Sequence, residues 1–338
     1  MRVAVFDQPG QPLRIDTRPT PDPRAGEVVL KVERCGICGS DIHWTEAHSH
    51  TVASGTVMGH EFAGEVVAMG SAVATLNIGD RVCCVPFTGC DVCTDCKQGD
   101  PFWCVGKRST WGGFGEFTSV SASSCVKLAE SMSWADGALV EPLACGLHAL
   151  RLSQLPASIS ALVIGAGPIG LACVYWLRRF NARSIAVTAR TSRREHLAAA
   201  MGASAFFLSG GESLQAGAAL TQAPDVVFEC TGVPGMIQRA MEIVRPRGTV
   251  VVAGLCMQPD TFRPALSLMK QLRMVFCAAY GVGDFQQTVA ALGSGDLTPR
   301  GMITSVISLD ELPVAFEAMR RGTDQCKIMI DPWLRAGG

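Results

Sequence analysis

The sequence predicts an α/β protein of two domains, a barrel-like β unit followed by a doubly wound parallel sheet. Three observations carry that expectation. The chain has 338 residues, and at roughly 150 residues per domain that length suggests about two cores. Residues 1–150 hold short β-rich runs such as Val28–Val32 and Glu65–Ala68, punctuated by Gly and Pro, the rhythm of short strands and tight turns. From about Ser158 strands and helices alternate, which implies parallel strands joined by crossover helices.

In the second half the apolar run Ala161–Ile164 predicts a buried strand, Ile169–Phe180 a helix and Ser184–Thr188 the next strand. A helical stretch at Arg193–Met201 follows, then strands at Asp225–Cys230, Thr249–Ala253 and Leu272–Ala278. Beyond Gly283 the pattern gives a helix at Phe285–Leu292, a strand at Val306–Ser308, another helix, and a strand at Cys326–Ile330. The domain expectation is 1–150 with a cysteine lobe at about 88–106, then 151–282 for the parallel sheet, then a C-terminal segment 283–338.

Composition narrows the function classes. Hydrophobic residues make up 48% and charged ones 17%, enough apolar surface to offset chain entropy, so disorder is excluded. A net charge of −1 supplies no field for a polyanion, which argues against nucleic acid and acidic membrane surfaces. Leu152–Leu177 carries no charge, yet Gly165, Gly167, Pro168 and Gly170 interrupt it and suit a strand, a turn and a helix rather than one membrane span. The N-terminal MRVAVFDQPG lacks the apolar core of a signal peptide. Fifteen cysteines in that context point to reduced thiols or metal, hence a cytoplasmic protein.

Cys90, Cys93, Cys96 and Cys104 follow CxxCxxCx7C through a polar loop. Two-residue spacers let neighbouring thiolates converge on one tetrahedral centre, and a closed four-thiolate shell is a structural zinc site. Thiolates alone do not select against iron, so an iron–sulfur centre stays open as a chemical alternative. A second constellation is CGICGSDIH, Cys35 to His43, followed by Gly59-His60-Glu61. A thiolate and an imidazole on separate turns leave positions open for a reacting ligand, which makes Cys38 and His60 the first candidates for a catalytic metal.

Gly165-Ala166-Gly167-Pro168-Ile169-Gly170 is GxGxxG placed between a predicted strand and a predicted helix. There glycines allow close approach of a pyrophosphate, and the helix N-terminus offers N–H donors. An NAD site places a carboxylate about twenty residues on. Here the second strand ends Val187-Thr188-Ala189-Arg190-Thr191-Ser192-Arg193-Arg194, with Ala189 at the carboxylate's place. Arg190, Arg193 and Arg194 offer guanidinium forks for a 2′-phosphate, and Thr191 or Ser192 a hydroxyl, so NADP(H) is expected over NAD(H).

The combination Gly59-His60-Glu61-x2-Gly64-x5-Gly70-x2-Val73, Gly79-Asp80-Arg81-Val82, the cysteine lobe, Gly112-Gly113-Phe114-Gly115-Glu116-Phe117 and Glu141-Pro142-Leu143-Ala144 resembles the zinc-containing medium-chain alcohol and polyol dehydrogenases. The resemblance covers essentially the whole chain. It implies a GroES-like catalytic domain, completed by the C-terminal segment, around a Rossmann domain, with one catalytic and one structural zinc per subunit, a nicotinamide cofactor and a homodimer or homotetramer. It assigns Cys38 and His60 to the catalytic zinc, with Glu61 a ligand in some polyol-type members. Glu141 stands where many relatives have a third, cysteine ligand, with Cys145 as its rival, and water or substrate oxygen completes the shell. Asp41 resembles the carboxylate that orients the ligand histidine, and Ser40 with His43 the family's proton relay. Trp44, Phe117 and Tyr280 take wall positions. His48 and His50 are read as surface residues, His148 as helix packing.

The implied reaction is reversible oxidation of an alcohol to a ketone or aldehyde, with zinc as Lewis acid and hydride passing to the nicotinamide. Polyol members carry Arg-Tyr after the last Rossmann strand. Here the place holds Ala279-Tyr280, which favours a less polar secondary alcohol over a sugar polyol. The alternatives are an NAD-linked sorbitol-type dehydrogenase and a non-catalytic, zinc-stabilised dinucleotide-binding protein.

Overall fold

Strand Glu27–Gly36 organises the first of two units in the computed structural model, which describes residues 1–46, 52–209 and 222–335. It pairs antiparallel with Glu61–Met69 on one side and with Phe117–Ser121 and Lys327–Asp331 elsewhere along its length. Gly64 permits the first pairing to close tightly, because a Cβ there would stand 2.3 Å from the Lys31 carbonyl oxygen. The sheet continues through Arg81–Cys84 to Cys125–Lys127, and through Lys327–Asp331 to Ile303–Ser308. Its C-terminal strands therefore complete a sheet begun by the N-terminal ones. The inward residues Val28, Leu30, Val32, Phe62, Val66, Val82, Ile328 and Ile330 form one core with Phe114 and Phe316.

This unit comprises Met1–Glu141 and Tyr280–Gly338; the second comprises Pro142–Ala279. The cuts fall after Glu141 and before Tyr280, where the sequence placed them at 150 and 282. The reason is the helix Trp134–Ser153, which runs through the first cut with Pro142 inside it. Its first turn belongs to the first unit: Arg300 donates two hydrogen bonds to Asp136, at 2.7 and 2.6 Å.

Among the described residues of the second unit every strand pairing is parallel, in the order Ala205–Leu208, Ser184–Ala189, Ser160–Ile164, Val226–Glu229, Thr249–Val252, Arg273–Phe276. All five residues of the central strand Ser160–Ile164 are buried, as a run covered on both faces requires. The uncharged stretch Leu152–Leu177 resolves into the end of one helix, this strand, and part of the helix Pro168–Arg179. Among the described residues no helix is long and apolar enough to cross a membrane. His48 and His50 lie outside the described residues.

Candidate active site

Strand Glu27–Gly36 delivers the chain to Cys38, which stands at the N-cap of the short helix Gly39–Trp44. Asp41, fully buried, accepts the Cys38 backbone N–H at 3.0 Å through Oδ2 and faces His60 Nδ1 at 3.2 Å through Oδ1. One carboxylate thus closes the helix start and fixes the imidazole, leaving Nε2 as the outward donor. The other end of the helix is held by Arg320, which donates to the Thr45 hydroxyl at 2.9 Å. Gly59 makes the turn into His60 at φ +86°, where a Cβ would meet the Phe114 ring at 2.4 Å.

The sulfur of Cys38, a nitrogen of His60 and a carboxylate oxygen of Glu61 lie within 4.8 Å of one another. A soft thiolate, an imidazole and a carboxylate suit zinc with a position left open. Burial acts to lower the His60 pKa, but Asp41 and Cys38 outweigh it and hold the ring well above the usual histidine range. Glu61 carries a partner that no local sequence pattern around it marks. Lys327, 1% exposed, donates to both its oxygens, at 2.7 and 2.6 Å, and to the Ile37 carbonyl at 3.1 Å. The available signal was a lone lysine in the apolar strand Lys327–Asp331.

Glu141 approaches from the helix Trp134–Ser153, its Oε1 4.0 Å from His60 Nε2, and accepts a hydrogen bond from the Tyr280 hydroxyl. Burial, only partly countered by His60, pushes its carboxyl up to about 6. Among the described residues neither Glu141 nor Cys145 belongs to a metal-competent cluster, and His148 sits half-buried on the same helix. Ser40 and His43 share the short helix but have different partners. The Ser40 hydroxyl donates to Cys38 Sγ at 3.1 Å, and His43 Nδ1 faces Glu46 at 3.4 Å.

Around His60 the walls are aromatic. Trp44 lies 5.5 Å from its ring and Trp111 5.8 Å, with the two indoles edge-to-face at 5.0 Å. Trp111 is not among the expected wall residues, and the expected Phe117 packs edge-to-face against Trp333 at 5.6 Å. Only the fold brings Trp111 here, since nothing local in its sequence marks it.

The four sulfurs of Cys90, Cys93, Cys96 and Cys104 also lie within 4.8 Å of one another. Backbone N–H groups of Val92 and Cys93 draw the Cys90 thiol down to about 6, favouring the thiolate a metal needs, whereas burial raises Cys96 to about 12. All four donors fit a closed tetrahedral ion.

In the second unit Gly165 leaves the central strand at φ +106°, and Gly167 caps the helix Pro168–Arg179, with Pro168 and Ile169 opening it. Gly170 is obligatory for close packing, because a Cβ would stand 1.9 Å from the Gly165 carbonyl oxygen. The Gly170→Ala protein is expected to lose about 1–3 kcal/mol through overpacking and to bind dinucleotide weakly; a thermal melt and a nicotinamide fluorescence titration check both. Strand Ser184–Ala189 ends beside this turn, followed by Arg190 and Thr191 and by the single turn Ser192–Arg194. Arg190 and Arg193 are exposed, while Arg194 reaches back to the Ala166 carbonyl at 3.4 Å. Glu229, buried at the end of its strand, accepts the backbone N–H groups of Thr231 and Gly232. It thereby orders the loop facing Gly165, a role not foreseen from the sequence.

Residues 24–130 match the family model described as alcohol dehydrogenase GroES-like domain, and residues 168–294 the model described as zinc-binding dehydrogenase. The chain is 31% identical to sorbitol dehydrogenase of Gallus gallus over 336 residues, covering 94% of this chain and 93% of that one. Among solved structures it is similar to a Sinorhizobium meliloti 1021 protein crystallised bound to NADP, at 28% identity and TM-score 0.90, covering 98% of this chain and 99% of that one. It is equally similar in sequence, at 28% identity and TM-score 0.88, to 2R,3R-butanediol dehydrogenase from Bacillus subtilis, covering 98% and 99%.

Proposed function

The chain belongs to the zinc-containing medium-chain alcohol and polyol dehydrogenases, and on that premise we propose that it interconverts an alcohol and its carbonyl with NADP(H), a secondary alcohol and its ketone above a primary alcohol and its aldehyde. The observation that carries the reading is the convergence of Cys38, His60 and Glu61, with Glu141 beside His60. Cys38 and His60 would hold the catalytic zinc, with Glu61 or Glu141 as third ligand; the four cysteines of the lobe would hold the structural one. When bound, the catalytic ion polarises the substrate oxygen as a Lewis acid.

The chain's own residues do the rest. Asp41 keeps the proton on His60 Nδ1, so Nε2 faces the donor cluster. Trp44 and Trp111 present apolar faces that exclude water from the reacting carbon. Ser40 Oγ lies against the metal-facing sulfur, and His43, 40% exposed, offers the released proton a way to solvent. The aromatic wall and the Ala279 that stands in place of an arginine support a substrate with few hydroxyls. Thiols at all fifteen cysteines support a reducing, cytoplasmic setting, and the family resemblance supports a homodimer or homotetramer.

NADP(H) preference rests on Ala189 with Arg190, Arg193 and Arg194 alone, since similar structures include one bound to NADP and one complexed with NADH. Replacing both Arg190 and Arg193 by alanine removes charge-assisted hydrogen bonds, and should raise the KM for NADPH about tenfold or more while that for NADH barely moves. Equal effects on the two cofactors would leave the arginines as a solvated helix start. A second reading, NAD-linked polyol oxidation, draws on the sorbitol dehydrogenase likeness and on Tyr280 beside Glu141. Initial rates for sorbitol against simple secondary alcohols, with each cofactor, separate the two.

A further inference from the structure

The four-cysteine lobe is physically joined to Glu141. Phe102, inside the lobe, packs against Phe87 with ring centres 5.3 Å apart. Phe87 stacks on Tyr280 at 5.4 Å with the planes only 19° apart. Phe285 also packs on Tyr280, with ring centres 5.0 Å apart, and the Tyr280 hydroxyl donates to Glu141 Oε1. A second link is backbone. The Val282 N–H donates to the Gly99 carbonyl at 2.8 Å, and a Cβ at Gly281 would stand 2.5 Å from Asp100 Oδ1. Gly99 and Asp100 thus lie flush against the segment that carries Tyr280.

The lobe has little else to order it. Of residues 90–106 only Pro101 and Cys104 are buried, so a bound metal must supply most of its folding energy. We propose that Phe102 and Phe87 are positioning residues: the metal on the four thiolates sets the lobe, and the lobe, through these rings, fixes the Tyr280 hydroxyl on Glu141. The second metal is then a support for substrate chemistry and not only a staple for stability. This rests on reading Glu141 as part of the catalytic site.

A double-mutant cycle of Phe102→Ala and Tyr280→Phe tests it, on protein holding zinc in the lobe and cobalt(II) at the Cys38 site. Phe102→Ala should lower kcat about tenfold, as expected of a small misplacement, and shift the cobalt absorption bands. Lobe metal content and the KM for dinucleotide should stay unchanged. In the Tyr280→Phe background the same change should add nothing, and Phe102→Tyr, which keeps the ring, should restore the wild-type rate. Additive losses, or an unmoved cobalt spectrum, overturn the inference. If Phe102→Ala does not fold, Phe87→Leu supplies the same leg of the cycle. Wild-type protein without turnover would instead overturn the dehydrogenase reading itself, so the two failures are distinct.

Discussion

The His60→Ala protein is expected to keep its fold, its lobe metal and its dinucleotide affinity while losing the metal of the Cys38 site. With the Lewis acid gone, kcat should fall about a thousandfold, the equivalent of several kcal/mol of transition-state stabilisation. Selectivity follows from geometry. His60 is one of three donors at the Cys38 cluster, while the four-thiolate cluster is complete without it. Metal analysis before and after dialysis counts the lost ion, and nicotinamide fluorescence checks the dinucleotide site. Turnover at the wild-type rate would remove His60 from the ligand set.

The largest effect on stability is expected at Lys327. It and Glu61 are each 1% exposed and joined at 2.6 Å. Lys327→Met leaves the Glu61 charge buried without its counter-ion, which should cost about 3–5 kcal/mol. Removing both charges in Lys327→Met with Glu61→Leu should recover most of that loss, because an apolar pair of similar volume carries no desolvation penalty. Urea unfolding midpoints of the two variants give the comparison. A single variant as stable as wild type would mean that Glu61 finds another cation or takes up a proton.

The features that local pattern can encode were legible before the fold. The GxGxxG turn sits between strand Ser160–Ile164 and helix Pro168–Arg179, because glycine spacing and hydrophobic period are short-range properties. The four sulfurs of the cysteine lobe lie together, as do the donor atoms of Cys38, His60 and Glu61, and both groups carry short-range spacing that a sequence displays. What stayed hidden depends on long-range pairing. Lys327 meets Glu61 because its strand pairs antiparallel with Glu27–Gly36, the strand that also pairs with Glu61–Met69. Trp111 reaches His60 through the loop beyond the lobe, whereas Phe117, in the motif that drew attention, turns to Trp333. The first compact unit ends at Glu141, inside the helix Trp134–Ser153, which continues through Pro142, a residue that ordinarily marks a helix start or break.

Hydride transfer at a zinc site leaves an isotopic signature in the product. Zinc-loaded protein is given NADPH deuterated at the transferring position of the nicotinamide, together with a simple methyl ketone. The expected product is an alcohol carrying deuterium at its carbinol carbon, one per NADPH oxidised, with the reaction stopped by chelation and restored by zinc. Tight NADPH binding with no NADPH oxidation by any of a panel of ketones and aldehydes, and no NADP+ reduction by alcohols or polyols, would contradict it, and would leave a zinc-stabilised dinucleotide-binding protein.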